Sequence, residues 1–294
     1  MSHKIAVVTG SNSGFGLLSS LELAQLGFKV IATMRDPDKG EELLLQAKKL
    51  GVEKSIEIQP LDVTSEVSIR AFSSRLIEIS RVDILLNNAG FASGGFAEEV
   101  TIDEYRDQFE TNVFGVMRIT QVVLPYMRKQ GEGKIINMSS ISGRIGFPGL
   151  SPYVSSKHAL EGYTESLRLE LKPFGIAVHL IEPGSYQTNI WTSGKKVTPR
   201  SMQKCSPYYS YMKAINSEIQ ASEDTLGDPR EIASIVREIA LNKKKGFRIP
   251  VGKGVRLTLL LKTILPWSIL ENIILKKLGM KKSKEGRNSM SKAE

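Results

Sequence analysis

The chain holds a single cysteine, Cys205, in 294 residues. One thiol can form neither an intrachain disulfide nor a thiolate metal cluster, so the covalent chemistry fits a reducing compartment. Histidine is nearly as scarce. His158 and His179 stand apart, one after a helical lysine and one inside a strand, and no pair of histidines or acids has metal-ligand spacing. No catalytic metal is therefore expected. Also missing is any uninterrupted apolar run of the roughly 18–20 residues that a bilayer span needs. Met1-Ser2-His3-Lys4 leads straight into an apolar strand, without the basic start, long apolar stretch and small-residue cleavage site of a secretory leader. A cytoplasmic protein is expected on these grounds. No internal repeat occurs, and low complexity is confined to the tail.

What is present is an ordinary globular composition, 41% hydrophobic and 24% charged, with a formal net charge of +9. Such a charge suits nucleic acid, an anionic membrane or a phosphorylated cofactor without choosing among them. The basic residues are spread along the chain, with clusters at Lys243–Lys245 and after Lys276. No basic helix carries base-reading residues, which argues against a nucleic-acid partner.

Short apolar, β-branched runs alternate with stretches of helical period. The runs are Ile5–Thr9, Lys29–Thr33, Ser55–Leu61, Val82–Asn87, Lys134–Met138 and Ile176–Glu182. Several are apolar on both faces, as strands buried in a parallel sheet are. Helices are predicted over Gly16–Leu26, Asp38–Leu50, Glu66–Ser80, Thr101–Gln130 (kinked or interrupted), Tyr153–Lys172 and Asp228–Leu241, with a last strand at Phe247–Val251. The alternation implies a doubly wound α/β sheet in one domain, residues 1–254. The polar, irregular stretch 185–226 is expected to be a substrate lid.

Thr9-Gly10-Ser11-Asn12-Ser13-Gly14-Phe15-Gly16 joins the first strand to the first helix. Glycines there let backbone approach a diphosphate, and a helix N-terminus offers N–H groups and partial positive charge. A tight strand–helix loop would need the same glycines, but the position favours a dinucleotide. At the end of the second strand, Met34 stands where a ribose-binding carboxylate would be sought and Arg35 follows it. A guanidinium there suits an extra phosphate and favours NADP(H), while Asp36 keeps NAD(H) open. Asp62, after the third strand, is placed either to accept from an adenine amino group or to cap a helix.

Tyr153 and Lys157 lie one helical turn apart on one face. An ammonium beside a phenol stabilises the phenolate, and a phenol so tuned can pass a proton to or from a carbonyl or alcohol oxygen. Alone, such a pair is commonly mere helix surface. Ser140 ends the fifth strand, at the rim where ligands bind in an open α/β sheet, with Ser139 the adjacent alternative. Asn87-Asn88-Ala89-Gly90 ends the fourth strand at the same rim.

Taken together, Thr9–Gly16, Asp62, Asn87–Gly90, Asn112, Ser140, Tyr153–Lys157 and Pro183-Gly184 resemble the short-chain dehydrogenases/reductases, over residues 4–190 and more weakly to about 252. The resemblance implies a Rossmann-type fold. Tyr153 would be the general acid/base, and Lys157 would lower its pKa and hold the nicotinamide ribose. Ser140 would orient the substrate oxygen, and Asn112 would bend the long helix and hold a water in a proton relay. Cofactor contacts would come from Gly10, Ser11, Asn12, Ser13, Gly14, Phe15, Gly16, Arg35, Asp62, Val63, Asn88, Ala89, Gly90, Pro183, Gly184 and Thr188, besides Tyr153 and Lys157. Phrases such as Ala159-Leu160-Glu161-Gly162-Tyr163 are similar to the hydroxysteroid and retinol dehydrogenase branch, implying a lipophilic alcohol or carbonyl substrate. Ile141, Ile145, Phe147, Pro148, Tyr186, Ile190 and Trp191 would form the pocket wall or simply pack the lid, with Phe147, Tyr186 and Trp191 the foremost substrate contacts.

Val255–Leu278 is rich in Leu and Ile and flanked by lysines. This C-terminal extension, residues 255–282, suits either a membrane surface or helices covering the pocket or a subunit interface. Residues 283–294 read as a disordered tail, and a homo-oligomer is expected. The alternative to an enzyme is a dinucleotide-binding regulator, which would keep the glycines but need no Tyr/Lys pair.

Overall fold

Ile5–Thr9 is apolar or β-branched on both faces. In the computed structural model, which describes residues 4–188, 190, 194–221 and 226–277, it is the buried strand β1. Around it run β2 (Lys29–Met34), β3 (Ile56–Pro60), β4 (Ile84–Asn87), β6 (Gly133–Met138), β7 (Ile176–Pro183) and β9 (Arg248–Val251). They form one parallel sheet of seven strands in the order β3-β2-β1-β4-β6-β7-β9. Successive side chains alternate between two cores. Ala6 and Val8 of β1 join the core under α1 (Gly14–Gln25), α2 (Glu41–Lys49) and α8 (Arg230–Ala240), whereas Ile5 and Val7 join the one under α3 (Glu66–Ile79), α5 (Val116–Gln130) and α6 (Ser151–Leu171).

The expected helix over 101–130 is interrupted. After α4 (Ile102–Phe109), residues Glu110–Gly115 form a π-helical turn before α5. A Cβ on Gly115 would meet the Val63 side chain at 2.7 Å, so the extra residue of this turn is accommodated only by close packing. Such bulges often mark functional sites.

The described residues within 185–226 include regular elements. β8 (Lys195–Val197) pairs in parallel with β5 (Ala92–Gly94), neither of which the sequence reading anticipated. α7 (Tyr209–Ala221) seats Met212 and Ile215 against Phe96. Beyond β9 the chain makes two short helices, α9 (Val255–Ile264) and α10 (Trp267–Lys277). Trp191 and residues 278–294 lie outside the described residues.

Candidate active site

Strand order reverses beside β1, and the carboxyl ends of β1, β4 and β6 open there into one crevice of about 570 Å³. This is the place where open α/β sheets bind ligands.

The glycine turn forms its floor. Gly10 has φ +67°, and a Cβ on it would lie 2.9 Å from the Ala89 Cα. One on Gly16 would lie 2.2 Å from the Gly10 carbonyl oxygen. Asn88 ties the two segments together, its Nδ2 donating to the carbonyls of Thr9 (2.9 Å) and Gly10 (3.0 Å). Ser13 makes no side-chain cap on α1, and the first turn has no acidic residue. The helix N-terminus, lined by Gly14 and Phe15, therefore keeps unsatisfied N–H groups and its dipole facing the crevice. A cradle that a side chain would fill, under an uncapped helix start, fits the diphosphate of a dinucleotide.

Two residues expected to touch that diphosphate do something else. The Ser11 N–H donates to the Thr33 carbonyl (3.0 Å) and its hydroxyl to the Val8 carbonyl (2.9 Å), so both of its donors face into the fold. Gly16 is buried beneath the turn and lets α1 pack against Gly10. Asn12, Ser13, Ala89, Gly90, Pro183, Gly184 and Thr188 line the crevice.

At its far end lie Met34, Arg35, Asp62 and Val63. Arg35 is exposed and makes no ion pair among the described residues. Asp36 is turned away, accepting from the Asp38 N–H (3.2 Å) and pairing with Lys39 (3.6 Å). The shift in register that would bring Asp36 to a ribose is thereby opposed by its capping role. Asp62 accepts from the N–H and hydroxyl of Thr64 through Oδ1 (2.9 and 2.7 Å). The cap of α3 is Ser65, not Asp62.

At the opposite end, Tyr153 and Lys157 project from the first turns of α6, both buried. The Tyr153 hydroxyl hydrogen-bonds Ser140, and burial pushes the phenol up to about 12. Burial brings the Lys157 ammonium down to about 8, against the attraction of Glu161. Lys157 Nζ donates to the Met138 carbonyl (2.7 Å) and stands 5.6 Å from the Tyr153 ring centroid, so desolvation dominates. Ser139 is distinct from Ser140, since its hydroxyl donates to Glu161 (2.5 Å).

Asn112 stands apart from the other three. It sits in the π-helical turn, where Oδ1 accepts from the Phe91 N–H (3.2 Å) and Nδ2 donates to the Phe91 carbonyl (3.1 Å) and Ser156 (3.3 Å). Its side chain is engaged in fixing the loop after β4. Two expected substrate contacts are also displaced. Tyr186 is buried edge-on against Phe15, and its hydroxyl donates to Glu231 (2.7 Å). Only part of it borders the crevice, as floor. Phe147 faces a separate cavity beneath α10. His158 bonds the Val154 carbonyl (2.9 Å) and His179 the Gly246 carbonyl (2.8 Å), both outside the site.

Sequence reasoning missed a charged cluster directly behind Lys157. Arg248 Nε reaches Glu161 (2.9 Å) and Glu182 (3.6 Å), and Arg144 reaches Glu182 (3.1 Å). Glu182 Oε2 is buried without a hydrogen-bond partner among the described residues. An acid inside the apolar strand His179-Leu180-Ile181-Glu182-Pro183 was the available signal. Burial and the nearby Glu161 push the Glu182 carboxyl up to about 7. The folded protein therefore binds this proton more tightly than the unfolded chain does. The stability from this group is full below the ordinary carboxylate value and declines as pH rises through about 7. Glu182→Gln should lose less of its Tm between pH 5 and pH 8 than the native protein, as read by calorimetry. Equal losses would show that Glu182 is ionised throughout.

The family model for short chain dehydrogenase matches residues 4–197. The chain is 52% identical over 279 residues to the uncharacterized oxidoreductase YusZ of Bacillus subtilis, covering 95% of this chain and 99% of that one. It is 35% identical over 257 residues to a 3-ketodihydrosphingosine reductase of Bacteroides thetaiotaomicron, covering 87% and 90%. Among solved structures, it superposes on a short-chain dehydrogenase from Streptomyces avermitilis with TM-score 0.79 and 31% identity, covering 94% and 98% of the two chains. A metagenomic short-chain oxidoreductase in complex with NADP gives TM-score 0.67 and 25% identity, covering 85% and 97%. With the glycine cradle, the Ser140–Tyr153 pair and Lys157 gathered on one crevice, the chain belongs to the short-chain dehydrogenase/reductase family of oxidoreductases.

Proposed function

We propose that the protein uses NADPH to reduce a ketone or aldehyde carried on a lipophilic molecule. The observation that carries this reading is the buried Tyr153 phenol hydrogen-bonded to Ser140 at one end of a crevice whose other end presents Arg35. Lys157, Pro183, Gly184 and Thr188 would hold a nicotinamide, which would supply the hydride. Ser140 orients the substrate oxygen, and Tyr153 gives that oxygen its proton. Burial keeps the Tyr153 phenol in its protonated form, ready to donate to a substrate oxygen. Asn112 acts by holding Phe91 in place.

Arg35 supports NADP(H) over NAD(H), because it is unpaired among the described residues while the nearest carboxylate, Asp36, caps its own turn. The NADP bound to the metagenomic relative is consistent with this choice. Phe91, Met138 and Ile190 border the crevice and support an apolar substrate, and the keto group in the name of the Bacteroides relative supports a carbonyl as the group reduced. Residues 185–226 then serve as the substrate lid of a catalytic domain spanning 1–254.

The test is initial-rate oxidation of NADPH and of NADH against a panel of ketones and aldehydes, soluble and lipophilic. Arg35→Ala should raise the KM for NADPH by about tenfold or more, the usual cost of losing a charge-assisted hydrogen bond, and leave that for NADH within about twofold. Equal effects on both cofactors would refute the assignment of Arg35.

A further inference from the structure

Leu257, Leu260, Leu261 and Ile264 recur at helical spacing along α9 and are 37–66% exposed. Trp267, Ile269 and Ile273 continue the surface on α10 at 45–55%. Of the eighteen exposed large apolar residues among the described residues, these seven fall within 257–273. The opposite side of the pair is anchored. Val255 and Leu270 are buried, and Lys262 Nζ donates to the Arg144 carbonyl. The outward apolar face is thus a property of a helix pair fixed to the body.

Two further observations concern the same face. A cavity of about 480 Å³ lies beneath α10, lined mainly by Phe147, Pro148, Val154, Trp267, Ile274 and Leu275. Trp267 belongs both to that cavity and to the exposed surface. Charge is concentrated in the same part of the sequence. Residues 253–294 contain ten Lys and Arg against three Glu, so seven of the nine net positive charges of the chain fall there.

We propose that the α9–α10 face docks on the surface of an anionic lipid bilayer. Exposed apolar side chains gain by leaving water, and adjacent cations gain near a surface of negative headgroups. Two copies of this chain meeting through the same face would instead bring their cationic segments together, which costs affinity. Helices of ten and eleven residues are about half the length of a membrane span, so they lie along the interface.

The full chain is tested by flotation with vesicles of phosphatidylcholine alone and of equal parts phosphatidylcholine and phosphatidylglycerol, at low and high salt. Binding to the anionic vesicles should be about tenfold or more tighter than to the neutral ones and should weaken with salt. Leu260→Ser with Ile264→Ser should abolish it, and Lys276→Glu with Lys277→Glu should weaken it by about tenfold or more. Both variants should keep the native circular dichroism and the native rate on a water-soluble substrate. Tryptophan fluorescence should shift to the blue on anionic vesicles, and Trp267→Phe should remove that shift. Absence of binding to anionic vesicles at low salt, or native-like binding by the Leu260→Ser/Ile264→Ser variant, overturns the proposal. So does an oligomer in light scattering that this variant dissociates, because a second copy would then cover the face.

Discussion

Tyr153→Phe is expected to lower kcat for carbonyl reduction by about 10²–10⁴ or more, the usual contribution of a positioned general acid, with NADPH affinity and fold unchanged. The substitution removes one oxygen from a ring that is 4% exposed and leaves its packing intact. Ser140 keeps the Ser142 N–H as a partner (3.1 Å), so the rim does not collapse. What disappears is the proton that the substrate oxygen must receive as negative charge develops on it. Measuring kcat alongside the dissociation constant for NADPH by fluorescence quenching separates the two effects. A regulator that merely bound a dinucleotide would show no rate for the substitution to reduce. A fall in cofactor affinity equal to the fall in rate would mean that Tyr153 is a binding residue.

The second large effect is structural. Gly16→Ala would place a methyl 2.2 Å from the Gly10 carbonyl oxygen and 2.5 Å from Asn88 Nδ2, two atoms joined by a hydrogen bond. Backbone cannot rotate aside as a side chain does, so either α1 moves off β1 or the Asn88 bridge opens. A loss of about 3 kcal/mol or more in stability is expected, beyond the usual cost of overpacking. NADPH affinity should fall with it, since the cradle and the helix N-terminus shift together. Gly162→Ala is the internal control. It lies on the exposed side of α6, a Cβ there meets nothing within 4 Å, and alanine should stabilise the helix by about 0.5–1 kcal/mol. Thermal melts of the two variants should move in opposite directions. A Gly16→Ala melt at the native temperature would show that the turn is looser than described.

Much of this molecule was readable from sequence because its central strands are buried on both faces. Val7, Val8, Ile31, Leu85 and Ile135 need apolar partners on either side, and the sequence announces it. The Tyr153, Lys157 and Ser140 set was readable as a spaced motif, and the glycine turn by its position between β1 and α1. Other features depend on contacts between distant segments. Nothing local to Glu161 or Glu182 reveals that Arg248 and Arg144 approach them. Ser11 reads as a phosphate contact until Thr33 and Val8 occupy its donors. α7 was hidden among aromatics, although Met212, Ile215 and Ile219 carry its helical spacing. Phe147 and Tyr186 read as substrate contacts because they are bulky and largely apolar, yet Phe147 borders a separate cavity and Tyr186 packs against Phe15 with only part of it at the crevice.

Transfer of hydride to a carbonyl carbon in this crevice, with Tyr153 protonating the oxygen, is the chemistry proposed. It is tested most directly by single turnovers with NADPH deuterated at the transferable position and a ketone selected from the panel, read by mass spectrometry of the product. One deuterium is expected on the new carbinol carbon with native protein, and almost none over the same time with Tyr153→Phe at equal cofactor saturation. Deuterium appearing at the native rate in Tyr153→Phe, or failing to reach any carbonyl of the panel from NADPH-saturated native protein, would contradict it.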